Sequence, residues 1–176
     1  MTPRRPVRSL GARALPSRSG PAAPSVAVEV LVCGSPDRGD DGAPTAAAAV
    51  LRDHTPDDVR IRIVGHLDID DLLAVPTGAR VVVVDTAVGI RPGHILELPL
   101  TGLVGREDGL RPRSSHALAF PDVIGLAELI QGRPVQGRIV AIGGMAFGLG
   151  ATLSPRVARA IPALVAAVRD AMDRVD

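Results

Sequence analysis

The sequence predicts an α/β protein in which a mostly parallel, roughly five-stranded twisted sheet lies between two layers of helices. Three observations predict this three-layer α/β/α fold. From Val26 onward, apolar runs of strand length alternate with segments of helical periodicity. Two of the runs, 26–33 and 79–88, are continuous and rich in valine, as expected for strands buried on both faces. The length of 176 residues and the hydrophobic content of 46% suit one such domain, which we place at 26–176.

The first half of the domain contains three predicted strands and two predicted helices. The strand at 26–33 is followed by the loop GSPDRGDDG and then by an alanine-rich helix at about 42–53. The segment 59–65, VRIRIVG, alternates and therefore predicts a strand with one exposed side, and a short helix follows at 69–75. The third strand, 79–88, has the strongest strand pattern in the chain.

The second half contains two more strands and two longer helices. We expect the strand at 94–100 to lie at an edge of the sheet, because Pro99 cannot donate a ladder hydrogen bond. A helix near 117–131 should end at Gly132, and a strand follows at 138–144. The last helix should have Ser154 as its N-cap and Pro155 at its first position, with a local bend at Pro162.

Composition excludes several classes of function. The basic residues are all arginine, so a Schiff-base lysine and a P-loop lysine are both excluded. Phe120 and Phe147 are the only aromatic residues, too few for a base-stacking platform. Residues 1–25 contain five arginines and no acid, which leaves 15 arginines and 19 acids, a net charge of −4, for the remainder. This acidic body argues against nucleic-acid binding.

Residues 1–25 are rich in Arg, Pro, Ser and Gly, and we predict that they form a disordered extension. The pair Arg4-Arg5 is also found in twin-arginine export signals, but no apolar stretch of the required length follows it. An arginine-rich, acid-free segment is also typical of organellar transit peptides. No segment reaches 18 uninterrupted apolar residues, so we expect no membrane span. The single cysteine, Cys33, indicates a reducing compartment, and we expect a cytoplasmic protein.

Potential metal ligands follow several of the predicted strands. Ligands bind at the carboxyl ends of strands in open parallel sheets, so side chains there are candidates for chemistry. These side chains are Asp37, Asp40 and Asp41 after the first strand, His66 and Asp68 after the second, Asp85 after the third, and Ser114, Ser115 and His116 before the helix near 117. Carboxylates with an imidazole are suitable ligands for divalent ions such as Ni, Zn, Fe or Co.

Each candidate also has an ordinary structural explanation. Asp40 and Asp41 stand where a helix begins, and acids there commonly cap N–H groups. Asp85 at the end of a strand and His116 after two serines are common loop residues. We assign His54 and His94 to the surface, because no candidate ligands lie near them in the sequence, and Cys33 to the core.

A dinucleotide site is a further alternative for the first loop. Its G-x-G-x-x-G pattern is absent, since Pro36 occupies the second glycine position, and three aspartates would repel a pyrophosphate.

Four segments in order resemble the hydrogenase maturation proteases, which process the nickel-containing large subunit of [NiFe]-hydrogenases. The segments are VLVCGSPDRGDDGAP, VVVVDTAVGIRPGHILEL, RSSHALAFPDVIGLAEL and GLGATLSPRVARAIPALVAAV, and the resemblance runs over about residues 28–170. It implies an endopeptidase of the aspartic type that binds nickel through Asp41, Asp85 and His116. It also implies that the nickel is carried by the substrate, a large-subunit precursor, so that no permanent cofactor is expected.

The chain departs from the family at two places. Val64-Gly65-His66-Leu67 replaces the family's Asp-Gly-Gly-Thr-like box, and the loop 143–151 is apolar and glycine-rich where the family is usually polar. These departures keep a second hypothesis open, namely a non-catalytic, metal-binding or chaperone-like relative that docks on a metalloprotein without cleaving it. We expect a monomer, because the body shows no spare apolar helix face.

Overall fold

The computed structural model describes residues 26–103 and 119–174. The predicted extension at 1–25 and the candidates Ser114, Ser115 and His116 lie outside the described residues. The described strands are β1 (Val28–Cys33), β2 (Val59–Gly65), β3 (Arg80–Ala87), β4 (Ile95–Pro99) and β5 (Gly137–Gly143). The described α-helices are α1 (Ala43–Arg52), α2 (Ile69–Leu73), α3 (Phe120–Gln131) and α4 (Pro155–Asp173). Every one of these elements lies where the sequence predicts it.

The sheet is five-stranded with the order β2-β1-β3-β5-β4. β1 pairs in parallel with β2 and β3, and β3 pairs in parallel with β5. β4 is antiparallel to β5 and lies at the edge, with Pro99 opposite Arg138. The predicted mostly parallel sheet is therefore confirmed, and so is the edge position of the strand that contains Pro99.

Helices cover both faces of the sheet. On one face Val30 and Val82 belong to a buried cluster with Leu164 and Val168 of α4 and with the alanines of α1. On the other face Leu31 and Val83 pack in a second cluster with residues of α2 and α3. Successive residues of a strand point to opposite faces, so β1 and β3 must be apolar at nearly every position. Of the helices in the described ranges, not even the 19-residue α4 is apolar enough to cross a bilayer.

The ends of α3 and α4 test the predicted helix caps. α3 ends at Gly132, whose backbone is left-handed and whose N–H group donates to the Glu128 carbonyl, as predicted. α4 begins after Ser154 with Pro155 in its first turn, but the Ser154 hydroxyl makes no capping hydrogen bond. Its Oγ atom is buried without a partner, while its backbone N–H donates to Oδ1 of Asp40 over 2.6 Å. The predicted N-cap position is confirmed, and the hydrogen bond at this end of the helix is made by the Ser154 backbone to Asp40 rather than by the Ser154 side chain.

A buried acid in β1 was not singled out by the sequence analysis. Glu29 is fully buried, and its carboxylate pairs with Arg60 over 2.5 Å and with Arg62 over 2.5 Å. Arg62 also contacts Oδ1 of Asp71 at the start of α2 over 3.0 Å. The parallel register places Glu29 opposite Arg60, so the two arginines of the edge strand β2 supply the countercharge. A charge in the middle of an apolar run was the only sequence signal for this network.

Removing both arginines should destabilise the fold, because it leaves the Glu29 carboxylate buried without a countercharge. We expect the Arg60→Ala/Arg62→Ala protein to lose about 3–5 kcal/mol of unfolding free energy in urea titrations. Arg52→Ala is the matched control, since Arg52 is exposed at the end of α1, and it should change stability by less than about 0.5 kcal/mol. A double variant as stable as this control would contradict the role assigned to Glu29.

Candidate metal centre

The loop after β1 turns back on itself and presents Asp41 at the carboxyl edge of the sheet. A Cβ atom at Gly34 would lie 2.1 Å from the carbonyl oxygen of Asp41, so only glycine allows the loop to close this tightly. Oδ2 of Asp41 accepts a hydrogen bond from the Ser35 N–H group over 2.9 Å. Within the described ranges, no donor reaches its Oδ1. Asp41 is therefore held in place by one carboxylate oxygen and keeps the other for a ligand.

Asp85 lies near the end of β3, at the same edge of the sheet. Its Oδ1 accepts the N–H group of Thr86 over 2.7 Å, and among the described residues its Oδ2 has no donor. Burial raises the pKa of Asp85 to about 6, against the lowering effect of the Thr86 N–H group. The negative charge of Asp41 raises this pKa further, and the charge of His66 lowers it. The Thr86 hydroxyl donates to the Asp40 carbonyl over 3.1 Å, which places the end of β3 against the loop that carries Asp41. A nearby cation would favour the ionised form of Asp85.

The two candidates after β2 have different surroundings. His66 is exposed, and its charge acts on Asp85, so it belongs to the edge where the aspartates meet. Asp68 instead caps α2, because its Oδ1 accepts from the Ile69 N–H group and Asp71 completes a capping box. Cys33 is buried, and burial raises the pKa of its thiol, so it remains a protonated core side chain as the sequence predicts.

Asp40 has a role that sequence reasoning did not identify. Its carboxylate is fully buried and accepts three backbone hydrogen bonds, from Met145 over 2.9 Å, Ala146 over 3.0 Å and Ser154 over 2.6 Å. Burial tends to raise the pKa of Asp40, but these three donors outweigh it and hold the pKa below its usual value. The carboxylate neither caps α1 nor stays free to act as a base.

Further backbone contacts join the first loop to the glycine-rich segment 143–154. The N–H group of Gly39 donates to the Ala151 carbonyl over 3.0 Å, and that of Gly150 donates to the Asp37 carbonyl over 2.7 Å. Asp37 is exposed, so it contributes its backbone rather than its carboxylate. The packing is tight at Gly39, where a Cβ atom would lie 2.4 Å from the carbonyl oxygen of Ala146. Met145 and Leu149 of the segment are exposed.

The described residues supply two of the three ligands that the resemblance implies. Across 26–103 and 119–174, no three His, Cys, Asp or Glu side chains are grouped closely enough to hold a metal ion. Asp41 and Asp85 offer two carboxylate oxygens from different strands, and a further ligand would have to come from outside them. His116, the third predicted ligand, belongs to a segment that the structure does not describe. The donor set suits a divalent cation, and the predicted ligation itself stays a prediction.

The fold has close counterparts among solved structures. The hydrogenase maturating endopeptidase HybD from E. coli is 19% identical over 81% of this chain and 92% of its own length, with a TM-score of 0.65. The [NiFe] hydrogenase maturation protease HybD from Thermococcus kodakarensis is 20% identical over 81% of this chain and 97% of its own, with a TM-score of 0.62. A hydrogenase 2 maturation peptidase from a Thaumarchaeota archaeon is 24% identical over 83% and 97%, with a TM-score of 0.57.

These likenesses show that the chain has the α/β fold of the hydrogenase maturation endopeptidases, as the sequence resemblance predicts. No protein-family model matches the chain, and no curated protein matches its sequence. The similarity is therefore shown by the course of the backbone.

Proposed function

We propose that this protein is an endopeptidase that removes a C-terminal extension from a nickel-loaded hydrogenase large-subunit precursor. The observation that carries the proposal is the hydrogen bond from Thr86 to the Asp40 carbonyl, which brings the neighbouring residues Asp85 and Asp41 to one edge of the sheet, on the fold of the named maturation endopeptidases. We further propose that it acts as a monomer in the cytoplasm, where a large subunit would receive its nickel.

The geometry suggests how the substrate would be held. Asp41 and Asp85 each keep one carboxylate oxygen without a hydrogen-bond donor among the described residues, and His116 would complete a mixed oxygen and nitrogen set. The nickel ion belongs to the substrate, so binding it fixes the peptide beside the sheet edge before any bond is cut. A cation there polarises a peptide carbonyl or a bound water, which favours hydrolysis of the adjacent C–N bond.

Co-expression with a candidate large subunit tests the proposal directly. In the presence of nickel, the intact mass of the large subunit should fall by the mass of its C-terminal extension, and it should not fall without nickel. The Asp53→Asn protein is the matched control, because Asp53 is exposed at the end of α1 and should leave processing unchanged. An unchanged mass with folded protein and nickel present would contradict the proposal.

One observation favours the second candidate function, a metal-binding relative that docks without cleaving. His66 stands at the site where the family's box supplies an acid and a threonine, so the substrate-facing chemistry differs there. Such a protein would still associate with the large subunit in a pull-down and would yield no shortened product. The same co-expression therefore separates the two functions.

A further inference from the structure

A basic cleft lies where the turn between β3 and β4 meets the first turns of α4. It has a volume of about 240 Å³ and is lined by Arg91, Pro92, Gly93, His94, Arg156 and Arg159. Three arginines and one histidine thus line one opening, with no acid among the lining residues. His94 is predicted to lie at the surface, because no candidate ligands are near it in the sequence. Its exposed position confirms this prediction. The arginines of α4 come close to it only through the fold.

Tight packing of the turn against α4 creates the cleft. Gly93 has a φ of +76°, and a Cβ atom there would lie 2.9 Å from the carbonyl oxygen of Arg156. The absence of a side chain lets the turn lie directly on the helix, which brings Arg91 and His94 beside Arg156 and Arg159. The cleft is therefore a fixed feature of the backbone, although the side chains that line it are exposed.

The guanidinium groups of the cleft have almost no partners of their own. Within residues 26–103 and 119–174, Arg91 and Arg156 form no ion pair, and Arg159 donates only to the Pro155 carbonyl of its own helix over 3.1 Å. By contrast, Arg60 and Arg62 on β2 are paired with buried or half-buried acids. A cluster of positive charge without an ion pair among the described residues attracts anions, although the body as a whole has a net charge of −4.

The backbone of the turn offers few N–H groups to an anion. Phosphate sites commonly use backbone N–H groups, but here Pro92 has none. The N–H group of Gly93 donates to the Gly143 carbonyl over 2.8 Å, and that of His94 donates to the Arg91 carbonyl over 2.9 Å. Neither Gly93 nor His94 therefore offers its N–H group to a ligand. The arginine side chains do, and the planar guanidinium fork binds a carboxylate in two parallel hydrogen bonds.

The cleft adjoins the end of β5, which pairs with the end of β3 that carries Asp85. A Cβ atom at Gly143 would lie 2.3 Å from the carbonyl oxygen of Arg91, so β5 ends against the turn. Two residues later, Met145 donates its N–H group to Asp40 and leaves its side chain 64% exposed. A chain segment that reaches the aspartates would thus meet an apolar side chain and then the basic cleft, which fits a protein better than a small ion.

We propose that the basic cleft binds the carboxylate side chains of an acidic segment in the protein substrate. The identity of that protein rests on the proposed function, whereas the affinity of the cleft for an acidic peptide does not. The probe is therefore a fluorescently labelled hexaglutamate peptide, whose binding to the full chain is followed by anisotropy at low ionic strength, where exposed charges are least screened.

Charge reversal within the cleft should abolish most of this binding. We expect the affinity of the Arg91→Glu/Arg156→Glu protein for the peptide to be lower than that of the parent by about tenfold or more. Arg52→Glu/Arg169→Glu is the control, because it changes the net charge equally at exposed positions outside the cleft, and it should stay within about twofold of the parent. Equal loss in both double variants would overturn the proposal. If the cleft variant fails to fold, Arg91→Gln/Arg156→Gln gives the same comparison.

Two further measurements separate the remaining outcomes. Inorganic phosphate should displace the peptide no better than chloride at equal ionic strength, and selective displacement would make the cleft a phosphate site and overturn the proposal.

In the cleavage assay, the cleft variant should have a higher KM for the large subunit than the parent and the same kcat. An unchanged KM would overturn the role in substrate binding. A parent protein that binds the peptide but cleaves no large subunit would contradict the proposed function alone.

Discussion

The Asp85→Asn protein should process a nickel-loaded large subunit about 100-fold more slowly than the parent, or not at all. Asparagine keeps the shape of the side chain and the oxygen that accepts the Thr86 N–H group. It removes the negative charge and one anionic ligand, so the substrate's cation is no longer held at both strand ends. Rates are to be measured from the mass of the large subunit at a series of times.

The stability of the same variant distinguishes a site residue from a structural one. Burial opposes the ionisation of Asp85, so a neutral side chain should leave the unfolding free energy at pH 7 unchanged or slightly higher. Loss of processing with an intact fold is the expected pattern, and Asp41→Asn and His116→Ala should lose processing in the same way. An Asp85→Asn protein that processes at the parent rate would show that the aspartate pair is not the site.

Much of the fold was predictable because the responsible forces act over a few residues. The valine run of β3 indicates burial on both faces, Pro99 restricts β4 to an edge, and Gly132 ends α3 through its own backbone. The convergence of Asp41 and Asp85 was also within reach, because the carboxyl ends of parallel strands meet at one edge whatever the details of the loops.

The features that sequence reasoning missed depend on contacts between distant segments. Glu29 is stabilised by Arg60 and Arg62, and their proximity follows from the register of β1 with β2. Asp40 and Asp41 are adjacent and chemically identical, yet one is fully buried and the other faces the site. That difference is set by the backbone N–H groups of Met145, Ala146 and Ser154, more than 100 residues away, and no local pattern reports it.

The Asp40→Ala protein should be less stable than the parent by about 3–5 kcal/mol in urea titrations. Truncation removes the acceptor for three buried N–H groups. The hydrogen bonds between the Asp40 side chain in the first loop and the backbone of the segment 143–154 are then lost. The exposed Asp37, three positions earlier in the same loop, is the matched control, and Asp37→Ala should cost less than about 0.5 kcal/mol.

The pattern of stability and activity then decides what Asp40 does. If Asp40 positions Asp41 by joining the two loops, Asp40→Ala must lower stability, and processing should fall because the ligand next to it is no longer fixed. A general base would behave in the opposite way, with unchanged stability and a lower kcat. Asp40→Asn gives an intermediate case. Its remaining side-chain oxygen still accepts hydrogen bonds, whereas its NH2 group, itself a donor, faces a backbone N–H group. The stability of this variant should therefore lie between those of the parent and the alanine variant. A fully stable, inactive Asp40→Ala protein would refute the positioning role.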